Sequence, residues 1–82
     1  MTMVSVQVKL FATLRQRYPD LDIGESMPVE LPEGATTGQL LAHLQIPDDQ
    51  VKIIFVNHVI RDREHVLVNG DDVGIFPPVG GG

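Results

Sequence analysis

The residues best suited to chemistry form one run, Phe76-Pro77-Pro78-Val79-Gly80-Gly81-Gly82, at the end of the 82-residue sequence. Two prolines favour an extended, polyproline-like path with little conformational freedom left to lose on docking. Three glycines carry no side chain and can enter a slot too narrow for any other residue. Fully extended, the stretch beyond Phe76 spans at most roughly 21 Å, at about 3.5 Å per residue. The expectation is a stiff ramp with a thin tip whose one reactive group is the α-carboxylate of Gly82. A free carboxylate is ionised at neutral pH and is a poor electrophile. Activation as a mixed anhydride would make it one. The competing reading is an inert chain end, which is what most termini are.

Phe76 carries two readings. It anchors a partner where sheet becomes tail, or it closes one end of the core. Other chemical candidates are weaker. His43, His58 and His65 fall on a helix, a turn and a connection, without the short ligand spacings of a metal site, so none is expected. Asp71 and Asp72 follow Asn69-Gly70 and read as a turn. Asp48-Asp49 reads as a solvated loop. Ser5 and Ser26 have no base beside them in sequence, which leaves a Ser-His-Asp arrangement unsupported. The six bases, Lys9, Arg15, Arg17, Lys52, Arg61 and Arg63, are scattered. There is no cysteine, so no side-chain thiolate can serve as nucleophile, metal ligand or persulfide carrier.

Eleven acids against those six bases give a formal charge of −5. That balance suits a basic protein partner and is poorly matched to nucleic acid. No apolar run approaches the length of a membrane span. The start, Met-Thr-Met-Val-Ser-Val, lacks the charged and apolar regions of a secretory signal. The expectation is one small cytoplasmic domain without nucleic-acid or membrane partners, residues 1–76, followed by a tail, residues 77–82.

The elements that must position the tail follow from periodicity. Val4, Val6, Val8 and Leu10 alternate with polar residues and predict a strand with one apolar face. Leu10, Leu14 and Tyr18 recur every fourth residue and predict a short helix over 11–18, before Pro19. Asp20 to Ser26 reads as loop. Met27, Val29 and Leu31 predict a second strand, which Pro28 confines to a sheet edge or to the strand's first residues. Thr36-Thr37-Gly38-Gln39 fits a capping box, and Leu40, Leu41 and Leu44 give the second helix its apolar stripe, with His43 off it. Ile46-Pro47 is expected to end that helix. Ile53–Val56 reads as a strand covered on both faces, Asn57-His58 as a two-residue link, and Val59–Arg61 as a short returning strand. Leu67 is the expected core anchor of the following connection, and Val73–Phe76 is the last strand. Gly74, inside it, is expected to cost some stability. The order strand, strand, helix, strand, short strand, strand is that of an α+β, β-grasp (ubiquitin-like) fold: a mixed sheet with one main helix on one face and an extra short helix after the first strand.

Three stretches then carry a resemblance: Leu10-Phe11-Ala12-Thr13-Leu14-Arg15, Asn69-Gly70-Asp71-Asp72-Val73, and Phe76-Pro77-Pro78-Val79 running into Gly-Gly. Thr36 with Leu40, Leu41 and Leu44, and Phe55-Val56-Asn57, agree with them. The sequence resembles the small sulfur-carrier subunit of molybdopterin synthase along essentially its whole length. The resemblance implies that an E1-like enzyme uses ATP to adenylate the Gly82 carboxylate, which is converted to a thiocarboxylate. It implies that Gly82, with Gly81, is the chemical site, that Phe76, Pro77, Pro78, Val79 and Gly80 contact the large synthase subunit as the tail enters it, and that sulfur is delivered there to cyclic pyranopterin monophosphate. That sulfur builds the dithiolene that binds molybdenum or tungsten. The carrier itself would hold no cofactor and would not be catalytic alone. The sequence departs from the family at Gly80, where a small non-glycine residue is usual; the change leaves the carboxyl chemistry intact and loosens the tail. The alternatives within sulfur carriage are a carrier for thiamine synthesis, whose family usually joins its first two strands by a tight turn, unlike the long connection here, and a carrier for another thio-metabolite. A ubiquitin-like modifier joined to lysines through Gly82 stays open, because both uses begin with adenylation.

Overall fold

The computed structural model describes residues 2–12, 14 and 25–78. The alternating runs lay down β1 (Met3–Leu10) and β2 (Ser26–Pro32), which pair antiparallel with Val6 opposite Val29. Then come α1 (Thr37–His43), a 3₁₀ turn at Asp48–Gln50, β3 (Ile53–Val56), β4 (Val59–Arg61) and β5 (Asp72–Phe76). The sheet order is β2-β1-β5-β3-β4, with β5 parallel to β1 and antiparallel to β3. This is the β-grasp arrangement the element order predicts. Leu40, Leu41 and Leu44 share one buried cluster with Val6, Val8, Ile54, Val56, Val73 and Ile75, and Leu67 anchors the connection at 1% exposure.

Helix α1 starts and stops through local chemistry. Thr36 Oγ1 accepts from the Gln39 N–H at 3.2 Å, and Gln39 Oε1 accepts from the Thr36 N–H at 2.8 Å, the reciprocal pair its sequence predicts. The next N–H groups, of Thr37 and Gly38, donate to the carbonyls of His65 and Arg63 at 2.9 Å each, so the β4–β5 connection completes the cap. At the other end Gln45 adopts a left-handed φ of 59°. Its N–H donates to Ala42, and the Ile46 N–H to Leu41. That Schellman closure ends the helix before Pro47 is reached, one step earlier than the sequence reading placed the stop.

Pro28 and Pro32 lie on β2, an outer strand of the sheet, as Pro28 requires. Asn57 and His58 both take positive φ, 52° and 70°, and make the tight β3–β4 turn. Two expectations are corrected. β3 is buried on one face only: Ile54 and Val56 face the core while Ile53 and Phe55 are half-buried on the other side, because α1 packs on the opposite face of the sheet. β2 begins at Ser26 rather than after it and runs on through Pro32, opposite Met3. The short helix expected over 11–18 lies mostly outside the described residues, as does the loop at 20–24; Leu14, which is described, is buried.

Candidate functional site

Strand β5 sits between β1 and β3 and delivers the tail. Val73 and Ile75 turn into the core, so Asp72, Gly74 and Phe76 point to the open face. The strand is bonded along both edges. The Phe11 N–H donates to the Ile75 carbonyl at 3.1 Å, and the Lys52 N–H to the Phe76 carbonyl at 2.8 Å. Pro77 and Pro78 follow and have no N–H to continue a ladder, so strand pairing ends at Phe76 for a chemical reason. Pro77 is half-buried and Pro78 is exposed; Val79, Gly80, Gly81 and Gly82 lie outside the described residues.

At the point of exit three aromatic rings gather on the open face. Phe76 stacks on Phe11 with centroids 4.0 Å apart and planes 5° from parallel, and meets the edge of Phe55 at 5.4 Å. Phe76 is therefore half-buried on the face away from the helix and does not sit in the core beneath it. Gly74 lies beneath this group: a Cβ there would lie 3.3 Å from Cε2 of Phe11, a tight approach that the ring would have to shift to accept. Beside it a hollow of about 180 Å³ opens between Phe11 and Phe55, rimmed by Gln7, Lys9, His58 and Asp72. Ile53 and Ile60 flank the rings, Ile53 opposite Phe76 and Ile60 opposite Phe55.

The start of β5 is held by a polar latch. Asp71 is 5% exposed. Its Oδ1 accepts from Asn57 Nδ2 and its Oδ2 from the Val68 N–H, both at 2.9 Å. Asn57 also receives the Asp72 N–H on Oδ1 at 3.0 Å and donates its own N–H to the Asp72 carbonyl at 2.7 Å. The latch ties the β3–β4 turn to the first residue of β5. Sequence reasoning assigned Asp71 and Asp72 alike to a turn and missed the burial of Asp71. It also missed Phe11 and Phe55 as neighbours of Phe76, since only the pairing of β5 with β1 and β3 brings them together. Among the described residues no three His, Asp or Glu side chains gather to hold a metal ion, and no helix is long and apolar enough to cross a membrane.

The ThiS family model matches residues 8–82, from within β1 through the last glycine. The chain belongs to the ThiS family. Solved structures agree. A putative molybdopterin converting factor, subunit 1, from Pyrococcus furiosus is 30% identical, with a TM-score of 0.73 over 93% of this chain and 99% of that one. The small archaeal modifier protein 1 from Methanosarcina acetivorans is 25% identical, with a TM-score of 0.67 over the whole of both chains. The complex of subunits 1 and 2 of molybdopterin-converting factor from Helicobacter pylori 26695 is similar in fold, at 24% identity and a TM-score of 0.60, covering 96% of this chain and 100% of that one. No match is found among the curated proteins. Membership in the ThiS family makes this chain a small carrier of the β-grasp type, and its tail emerges beside the aromatic stack.

Proposed function

We propose that this ThiS-family chain carries sulfur for the synthesis of molybdopterin, with the Gly82 carboxylate as its chemical group. An E1-like enzyme transfers AMP from ATP to that carboxylate and releases pyrophosphate. A sulfur donor displaces AMP and leaves a thiocarboxylate, whose sulfur is nucleophilic without any cysteine in the chain. The tail then enters a large synthase subunit, where Gly81 and Gly82 pass a narrow opening. Phe76, Pro77, Pro78, Val79 and Gly80 line the approach. Cyclic pyranopterin monophosphate receives the sulfur. Docking costs less ordering entropy because two prolines already fix the path.

The observation that carries this reading is the exit of β5: a strand bonded on both edges as far as Phe76, then two prolines with no N–H to donate, in a family match that continues to Gly82. Likeness to the Pyrococcus furiosus protein favours the pterin pathway, and the Helicobacter pylori complex supplies the precedent for a large-subunit partner. Fifteen residues separate the end of β1 at Leu10 from the start of β2 at Ser26 (26 − 10 − 1), unlike the tight turn expected of a thiamine-type carrier. The cell compartment of this reading is the cytoplasm, where ATP and the activating enzyme meet the carrier.

The test is sulfur transfer to the pterin precursor from pre-formed thiocarboxylate, comparing wild type with Gly81→Val and a Gly82 deletion. Removing Gly82 draws the carboxyl back by about 3.5 Å, and even 1 Å at a reacting centre can cost about 100-fold. Gly81→Val keeps the length and adds a branched side chain. Both should retain the circular dichroism of wild type and lose transfer. Near-normal transfer by both variants would leave the inert-terminus reading in place. A second reading, protein modification through Gly82, is favoured by the likeness to the Methanosarcina acetivorans modifier. It predicts covalent adducts on lysines of other proteins in lysate, which a pure sulfur carrier does not form.

A further inference from the structure

The two outer strands of the sheet are protected unequally. β2 carries Pro28 and Pro32, which have no N–H to offer, and the exposed Glu30 between them. β4, at the opposite edge, carries neither proline nor lysine, and all three of its residues are exposed, Val59 at 47% and Ile60 at 62%. The two-residue turn Asn57-His58 makes Val56 and Val59 the hydrogen-bonded pair next to it, so the pair Phe55–Ile60 is the non-bonded kind. The N–H and C=O of Ile60 therefore point away from β3, out of the sheet.

We propose that β4 is a self-association edge, pairing antiparallel with β4 of a second copy about a two-fold axis at Ile60. Charge and side-chain fit select this occupant and this register. With Ile60 opposite its own copy, two reciprocal N–H···O bonds form. Val59 lies across from Arg61 of the partner copy, whose aliphatic stem can cover it. At each end the His58 imidazole faces the Asp62 carboxylate of the other copy, of which Oδ1 already receives the Glu64 N–H at 3.0 Å. Sliding the pairing by two residues one way would set Arg61 directly against Arg61, a like-charge pair; sliding it the other way would set Ile60 against His58, a turn residue with φ 70° whose backbone is not extended. The strand cannot lengthen, because the Asp62 carbonyl is held by Thr37 Oγ1 and the His65 N–H. Directly opposed residues of an antiparallel pair share a face, so the two Ile60 side chains meet beside both Phe55 rings on a continuous ten-stranded sheet. β3 separates β4 from β5, so the proposed contact lies on a different strand from the one that ends at Phe76.

Sedimentation of the full chain across a wide concentration range tests this without any partner enzyme. The weight-average mass should rise with concentration from one chain towards two. Ile60→Pro takes away both the outward-pointing N–H and the apolar side chain at the two-fold axis, and should hold the protein monomeric throughout. His58→Asp sets acid against acid and should weaken association about tenfold, and His58→Asp/Asp62→Lys should recover it. A wild-type chain that stays monomeric at every concentration overturns the proposal. So does association of Ile60→Pro at wild-type strength, which would place the contact elsewhere, and so does failure of the double variant to recover while it melts like wild type. None of these outcomes bears on sulfur carriage.

Discussion

Asp71 and Asp72 are neighbours in sequence with opposite expected sensitivities. Asp71→Ala removes an acceptor from Asn57 Nδ2 and from the Val68 N–H, at a site 5% exposed. A hydrogen bond to a charged group contributes about 1.5–3 kcal/mol, and a buried donor left unpaired costs about 1–3 kcal/mol. Val68 is an exposed residue, so water can recover part of its loss. The net cost should be about 3 kcal/mol, which for a domain of this size lowers the thermal midpoint by roughly 12–24 °C. Asp72 is exposed, and its contribution to the latch comes from its backbone. Asp72→Ala should stay within about 0.5 kcal/mol of wild type. Urea titrations followed by circular dichroism give both numbers, and a cycle with Asn57→Gly, which tolerates the positive φ at that turn, isolates the coupling. Equal effects of the two alanine variants would refute the latch. Because the latch fixes where β5 begins, Asp71→Ala should also slow delivery of the tail more than its loss of folded population explains.

Leu41→Ala, in the buried stripe of α1, should cost about 2–5 kcal/mol; an unchanged thermal midpoint would mean the stripe does not bear on the core. Gly74→Val drives a side chain against Phe11 and should destabilise by about 1–3 kcal/mol while changing the ring-current shifts of Phe11 and Phe76. Unchanged aromatic resonances would show that the stack does not depend on the glycine. Association with the activating enzyme or large subunit should slow as salt rises, because the carrier bears a charge of −5 and steering is screened beyond about 8–10 Å; a salt-independent rate would argue against a basic partner surface.

Most of the fold is written in local patterns. Val4, Val6, Val8 and Leu10 alternate because one face of β1 meets the core, and Thr36 with Gln39 spells out its cap in four residues. Pro28 announces an outer strand through its missing N–H. What could not be read is what long-range pairing creates. Phe55, Phe11 and Phe76 are far apart in sequence and meet only through the register of β5 with its two neighbours. Gly74 reads only as a gap in the strand until the edge of Phe11, which a Cβ there would crowd, is beside it. Ile53–Val56 is apolar throughout, and nothing in four residues says that one of its faces stays open. Asp71 becomes a latch only because Asn57 is folded against it. The end of α1 is intermediate: the left-handed turn at Gln45 closes it, but glutamine gives less warning of that conformation than glycine would.

The central claim is that the Gly82 carboxylate becomes a thiocarboxylate, and intact mass spectrometry reads that change directly. The full chain is incubated with an E1-like enzyme, ATP and a sulfur donor, with ATP omitted in a parallel sample. The account predicts a mass gain equal to exchange of one oxygen for sulfur, dependent on ATP, located by fragmentation to Gly82 and absent when Gly82 is deleted. A chain whose mass stays unchanged with an enzyme that activates other carriers, or a gain located away from Gly82, would contradict it.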